Sequence, residues 1–150
     1  MSQSLAQVYI HLVFSTKHQR NLIDPKIERE LHPYLAKLFR ECDSPSLCID
    51  GTENHIHCLF SLARRITVSQ VVEKVKKTSS KWIKSKGERY RNFYWQGGYG
   101  AFSISPSGVK EVIRYIANQK RHHIRQTFRE EFINILDKHG VEYDERYMWD

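Results

Sequence analysis

Asn54-His55-Ile56-His57-Cys58-Leu59-Phe60-Ser61-Leu62 is the stretch on which the reading of this chain turns. Residues two apart in a strand point the same way. Ile56, Cys58, Phe60 and Leu62 therefore form one unbroken apolar row, suited to packing on helices. His55 and His57 lie side by side on the other face, continued by Leu59 and Ser61. Two imidazoles so placed can approach a shared point, and neutral imidazole is a common ligand of divalent cations. Taken alone, such a pair fits a structural or surface role equally well, and two ligands make an incomplete site.

Working outward, Gly51-Thr52-Glu53-Asn54 predicts a hairpin turn back to a strand over Ser46–Asp50. Val8, Ile10, Leu12 and Phe14 alternate as a first strand, which puts His11 on the same side as Tyr9, where it could border the histidine site. Asp24-Pro25 caps and opens a helix with Ile27, Leu31, Tyr34, Leu35 and Leu38 inward. Thr67-Val68-Ser69-Gln70 is a capping box for a second helix, whose outer faces carry Lys74, Lys76, Lys77, Lys81, Lys84 and Lys86. After the glycine- and aromatic-rich segment 93–100, a strand is expected over Ala101–Ser105. Pro106 then begins a helix running to about 122, and Thr127 begins a C-terminal helix that Gly140 stops, with a tail to residue 150. The order β-α-β-β-α-β-α-α predicts an α+β, ferredoxin-like split βαβ sandwich: one antiparallel sheet with helices on one face. The other face is left for a ligand or a second subunit. At 150 residues, a single domain spanning 1–150 is expected.

Composition narrows the partners. The net charge of +7 on a chain with 24 basic and 17 acidic residues suggests a polyanion, most commonly nucleic acid. Three cysteines, Cys42, Cys48 and Cys58, fit neither a disulfide framework nor a zinc knuckle. No apolar run approaches a membrane span, and the N-terminus lacks the marks of a secretory signal, so a cytoplasmic location is expected.

The helix after Pro106 carries Arg114-Tyr115-Ile116-Ala117-Asn118-Gln119-Lys120-Arg121-His122-His123. Tyr115 and Gln119 lie one turn apart on a flank displaced from the inward stripe of Val109, Val112, Ile113 and Ile116. A tyrosine there could be a half-buried packing residue. It could also be a nucleophile, with Gln119 offering a carbonyl oxygen to a cation. A phenol is a poor nucleophile at neutral pH, and a divalent cation beside the scissile phosphate would supply the missing driving force. Attack by tyrosine stores the phosphodiester as a phosphotyrosine, so strands can be rejoined without ATP.

Asn54-His55-Ile56-His57, the loop Trp95-Gln96-Gly97-Gly98-Tyr99-Gly100-Ala101-Phe102-Ser103 and Tyr115-Ile116-Ala117-Asn118-Gln119, in that order, resemble the single-tyrosine HUH transposases of a bacterial insertion-sequence group, related to the REP-associated tyrosine transposases. The resemblance implies a homodimer whose sheets join and whose active sites are shared, the histidines from one subunit and the tyrosine helix from the other. It implies metal ligands at His55, His57 and Gln119, a nucleophile at Tyr115, and Mg2+ or Mn2+ as cofactor. It further implies single-stranded DNA with a subterminal hairpin as substrate, cleaved and rejoined through a 5′-phosphotyrosine. Lys17, Arg20, Lys74, Lys77, Lys81, Arg121 and His122 are candidate DNA contacts by charge, with Tyr94, Trp95 and Tyr99 as candidate stacking platforms. The absence of a long basic extension after Asp150 favours an insertion-sequence enzyme. Three alternatives compete with this reading. A replication initiator or relaxase would want a third histidine or paired tyrosines. A non-catalytic or repurposed single-stranded nucleic-acid-binding protein of the same fold would want aromatics at the sheet centre. A zinc hydrolase would want a carboxylate spaced as a base beside the histidine pair.

Overall fold

The computed structural model describes residues 2–149. Four antiparallel strands, β1 (Tyr9–Ser15), β2 (Ser46–Gly51), β3 (His55–Ser61) and β4 (Gly100–Ile104), form one sheet in the order β2-β3-β1-β4. That order is the split βαβ arrangement, with β1 and β3 central. Register follows from the alternation: Leu12 pairs with Cys58, Val13 with His57 and Ser15 with His55. The β2–β3 turn is tight enough that a Cβ on Gly51 would lie 2.1 Å from the carbonyl oxygen of His55, so only glycine fits there.

Helices α1 (Pro25–Glu41) and α2 (Val68–Lys84) cover one face. Each starts as its sequence dictates: Asp24 accepts from the Ile27 amide, and Thr67 and Gln70 close a reciprocal capping box. Leu31, Leu35, Phe39, Val71, Val75 and Ile83 meet Leu12, Phe14, Ile56, Cys58 and Phe60 in the main core. Trp95 belongs to this core: its ring packs edge-on against Phe14 and Phe93, and its indole N–H donates to Ser79. It is therefore not a stacking platform for bases, whereas Tyr94 and Tyr99 are exposed.

The expectation of helices on one face only needs correction. Helix α3 (Val109–Ala117) leaves the β4 edge and reaches β3 and β2 across the second face, followed by the short α4 (Gln119–His122) and by α5 (Phe128–Lys138). The reason is chemical. Val13 and Phe102 project from that face and form a second core with Phe128, Ile135 and Leu136. An apolar patch of that kind needs cover, and α5 brings a matching stripe. The helix expected over 106–122 is also divided. A single 3-10 turn precedes α3, and Asn118 departs from helical geometry (φ −102°, ψ 19°) between α3 and α4. No disulfide joins Cys42, Cys48 or Cys58, which are free thiols. Among the described residues, no helix is long and apolar enough to cross a membrane.

Candidate active site

His55 and His57 lie under the second layer and are fully buried. Each imidazole is held at one nitrogen and presents the other to a common centre. The Nδ1 atom of His55 is 2.8 Å from Asn54 Oδ1 and 2.9 Å from Thr52 Oγ1. The Nδ1 atom of His57 is 2.8 Å from His11 Nε2, with the two rings stacked. His11, expected only to border the site, thus orients one of its members. Burial and the neighbouring His57 push the pKa of His11 down to about 3, so it is neutral near pH 7.

The Nε2 ends of both imidazoles converge on a residue that sequence reasoning missed. Glu131 on α5 is buried, and its Oε1 lies 3.0 Å from His57 Nε2, 3.4 Å from His55 Nε2 and 3.0 Å from His123 Nε2. Its other oxygen accepts a short hydrogen bond from the Tyr115 hydroxyl. A buried carboxylate is costly unless surrounded by donors. Burial would raise its pKa, but the hydrogen bonds from His123, His55 and His57 outweigh that and hold it well below the usual carboxylate range. Glu131 in turn raises two neighbours. Burial opposes protonation of His123, but the hydrogen bond to Glu131 and its charge prevail. Burial, then the charge of Glu131 and the hydrogen bond to it, push the Tyr115 phenol well above its ordinary value. In this arrangement the tyrosine keeps its proton.

Gln119, the first residue of α4, is also fully buried, with Oε1 2.9 Å from His55 Nε2 and its amide nitrogen lacking a hydrogen-bond partner. The structure thus brings together His55, His57, Gln119 and Tyr115, all from one chain. His122 joins the periphery, its ring 4.8 Å from that of Tyr115.

The chemistry of these groups suits a divalent cation. In the alternative tautomer, with the His55 proton on Nδ1 toward Asn54, Nε2 would turn a lone pair toward two oxygen acceptors, on Glu131 and Gln119. A positive charge at their centre satisfies all three. Ligands at right angles around an ion about 2.1 Å away lie about 3.0 Å apart, which the imidazole–carboxylate spacing approaches. His55, His57 and Glu131 present ligand atoms within 4.8 Å of one another. Two imidazoles with carboxylate and amide oxygens form a borderline-to-hard set that accommodates Mg2+ or Mn2+.

The family model for IS200-like transposases matches residues 4–119. This chain belongs to the IS200-like transposase family. Its β1–β3 core, both histidines, Tyr115 and Gln119 lie inside the matched span, whereas His123 and Glu131 lie beyond it. Among solved structures, the chain is similar to a candidate transposase of Deinococcus radiodurans R1, at 16% identity and a TM-score of 0.62, covering 79% of this chain and 98% of that one. It is also similar to a REP-associated tyrosine transposase bound to a REP hairpin, at 16% identity and a TM-score of 0.58, covering 79% of this chain and 72% of that one. These likenesses concern the fold. No curated protein matches the chain in sequence.

The expected DNA contacts do not form one patch. Lys17 and Lys84 flank the exposed ring of Tyr94, with Lys84 Nζ 4.0 Å from its centroid. Lys77 and Lys81 are exposed farther along α2, while Lys74 pairs with Glu41 on α1. Arg20 is exposed beyond β1, and Arg121 is exposed on α4.

Proposed function

We propose that this transposase is one catalytic domain that cuts and rejoins single-stranded DNA through Tyr115, beside a divalent cation held by His55, His57 and Gln119, with Glu131 as a further oxygen ligand. The observation that carries this reading is the meeting of Tyr115, His55 and His57 on the two oxygens of one buried carboxylate. Nucleophile and ligands are thereby within one side chain's width of each other.

Tyr115 Oη would form the bond to phosphorus while the bond to the 3′-side oxygen breaks. That oxygen takes up the proton the phenol gives up and leaves as the 3′-hydroxyl of the upstream strand, while the downstream strand remains on the tyrosine through its 5′-phosphate. Attack by a second 3′-hydroxyl reverses the exchange. Magnesium or manganese, when bound, would polarise the phosphate and stabilise charge on its oxygens. The chain's own residues set the geometry: Asn54, Thr52 and His11 fix the imidazoles, and α3 presents the phenol. Such outer partners orient ligands and raise their basicity. The hairpin bound by the REP-associated structural relative supports a hairpin-bearing substrate here. Lys17, Arg20, Lys77, Lys81, Arg121 and His122 are then the candidates for its backbone, with Lys74 a weaker one because Glu41 engages it.

Incubation with hairpin-bearing single-stranded DNA and Mn2+, read on a denaturing gel, tests this directly. A covalent protein–DNA adduct is expected with the native chain and none with Tyr115→Phe. An adduct that persists in that variant would move the nucleophile to another residue.

A further inference from the structure

A cavity of about 450 Å³ opens beside Tyr115, on the side away from His55. It lies between the end of β4, the start of α3 and the outer half of α5, and the Tyr115 ring forms part of its wall. Its volume falls within the roughly 300–1,000 Å³ of small-molecule sites. Its character is distinctive. Ile104, Val112 and Ile135 provide apolar surface, while the amides of Gln126 and Asn134 and the hydroxyl of Ser105 supply both donors and acceptors. Lys138 and Glu111 at the lining offer one charge of each sign, so a bare phosphate finds no concentrated positive field there. The side-chain amides of Gln126 and Asn134 take no part in the hydrogen bonds that join Tyr115, His55 and His57 to Glu131 and Gln119.

We propose that this cavity receives the base of the nucleotide flanking the scissile phosphate and reads its edge. The inference rests on the Tyr115 reading for its orientation. A phosphate within bonding reach of Tyr115 Oη carries its neighbouring nucleosides within a few ångströms. The histidine side is filled by Glu131, His123 and Phe128, whereas the opposite side is open. A nucleobase has the required chemistry, being flat, neutral and rimmed by alternating donors and acceptors. Side-chain amides match such an edge in bidentate fashion, as they do for adenine. Apolar side chains meet its faces, and a single-stranded substrate leaves it unpaired and able to turn in.

Methyl NMR of the full chain tests this without recourse to cleavage. The four deoxynucleoside 5′-monophosphates are titrated into protein labelled at isoleucine and valine methyls. The expected result is saturable shifts on Ile104, Val112 and Ile135, stronger for one base than for the others. Asn134→Ala, an exposed position, is expected to weaken that base at least fivefold and level the preference; Val112→Trp, with its fold checked by the same spectrum, is expected to abolish the shifts. Shifts confined to other methyls, no shifts at millimolar nucleotide, or equal shifts from deoxyribose 5-phosphate alone would overturn the base-reading site. Adduct formation on hairpin DNA is scored separately in the same samples. Base binding without adduct would refute the Tyr115 reading and leave the pocket, and adduct without base binding would do the reverse.

Discussion

The two faces of the sheet are made by the same strands and carry opposite kinds of interior. Beneath α1 and α2, β3 contributes Ile56, Cys58 and Phe60 to an apolar core that needs only shape to be stable. Beneath α3 to α5, the intervening His55 and His57 enter an equally buried layer held by hydrogen bonds to His11, Asn54, Gln119 and Glu131. Burial on the first face yields stability. On the second it sets protonation states and presents lone pairs, at the cost of removing polar groups from water. The face on which the proposed chemistry sits is therefore not the one that carries the larger apolar core.

Substitutions on the two faces should separate accordingly. Phe60→Ala removes a fully buried ring that packs 4.9 Å from Phe39, and should cost about 3–5 kcal/mol in urea denaturation. Its cleavage rate per folded molecule should stay at the native value; a lower rate would tie the first face to the chemistry. His57→Ala should do the reverse, slowing cleavage about a thousandfold, the equivalent of roughly 4 kcal/mol. Because Glu131 keeps His123, His55 and Tyr115 as partners, that variant should lose less stability than Phe60→Ala. Equal destabilisation by both would erase the distinction.

A smaller effect is expected one residue farther out. His11→Phe keeps the ring but releases His57 Nδ1, and should weaken Mn2+ binding by about tenfold to a hundredfold in calorimetry. An unchanged dissociation constant would reduce His11 to packing. The smallest effect lies at the edge of the first face. There the Lys76 ammonium donates to the carbonyls of Gln96 and Gly98, and burial lowers its pKa from 10.5 to about 8. Between those values the unfolded chain binds more protons, so stability should rise with pH across that window. Lys76→Met should flatten this part of the melting-temperature profile, and an identical slope in both proteins would show that Lys76 titrates as it does in water.

Strand alternation made the division between the faces legible in the sequence, because a period of two assigns every residue of β3 to one side. The capped starts of α1 and α2 were legible for the same local reason. Gln119 and Tyr115 were found from helical spacing, although the helix breaks at Asn118, since each needed only to reach the same side. Glu131 was not found. It lies 74 residues from His57, and its helix starts with a run of acidic residues that reads as a solvated first turn. The available signal was its place in line with Phe128 and Ile135, three and four residues away, which puts a carboxylate on a buried stripe. The closed second face was missed because covering it depends on Val13 and Phe102 meeting α5, a contact no local pattern encodes. Trp95 misled for a related reason, an aromatic in a glycine-rich loop being as suited to a core as to a base.

The turn at Gly51 has a bearing on what happens when folding goes astray. By admitting no side chain against the His55 carbonyl, it pins the hairpin to one alignment. A slip of a single residue would turn Ile56, Cys58 and Phe60 toward Glu131 and drive both imidazoles under α1 and α2. Such a molecule would have no partially competent site, because both histidines would be lost together. Errors in assembly are thus all-or-none in their effect, and a copy that holds its histidines at all holds them in the arrangement that α3 and α5 were shaped to meet.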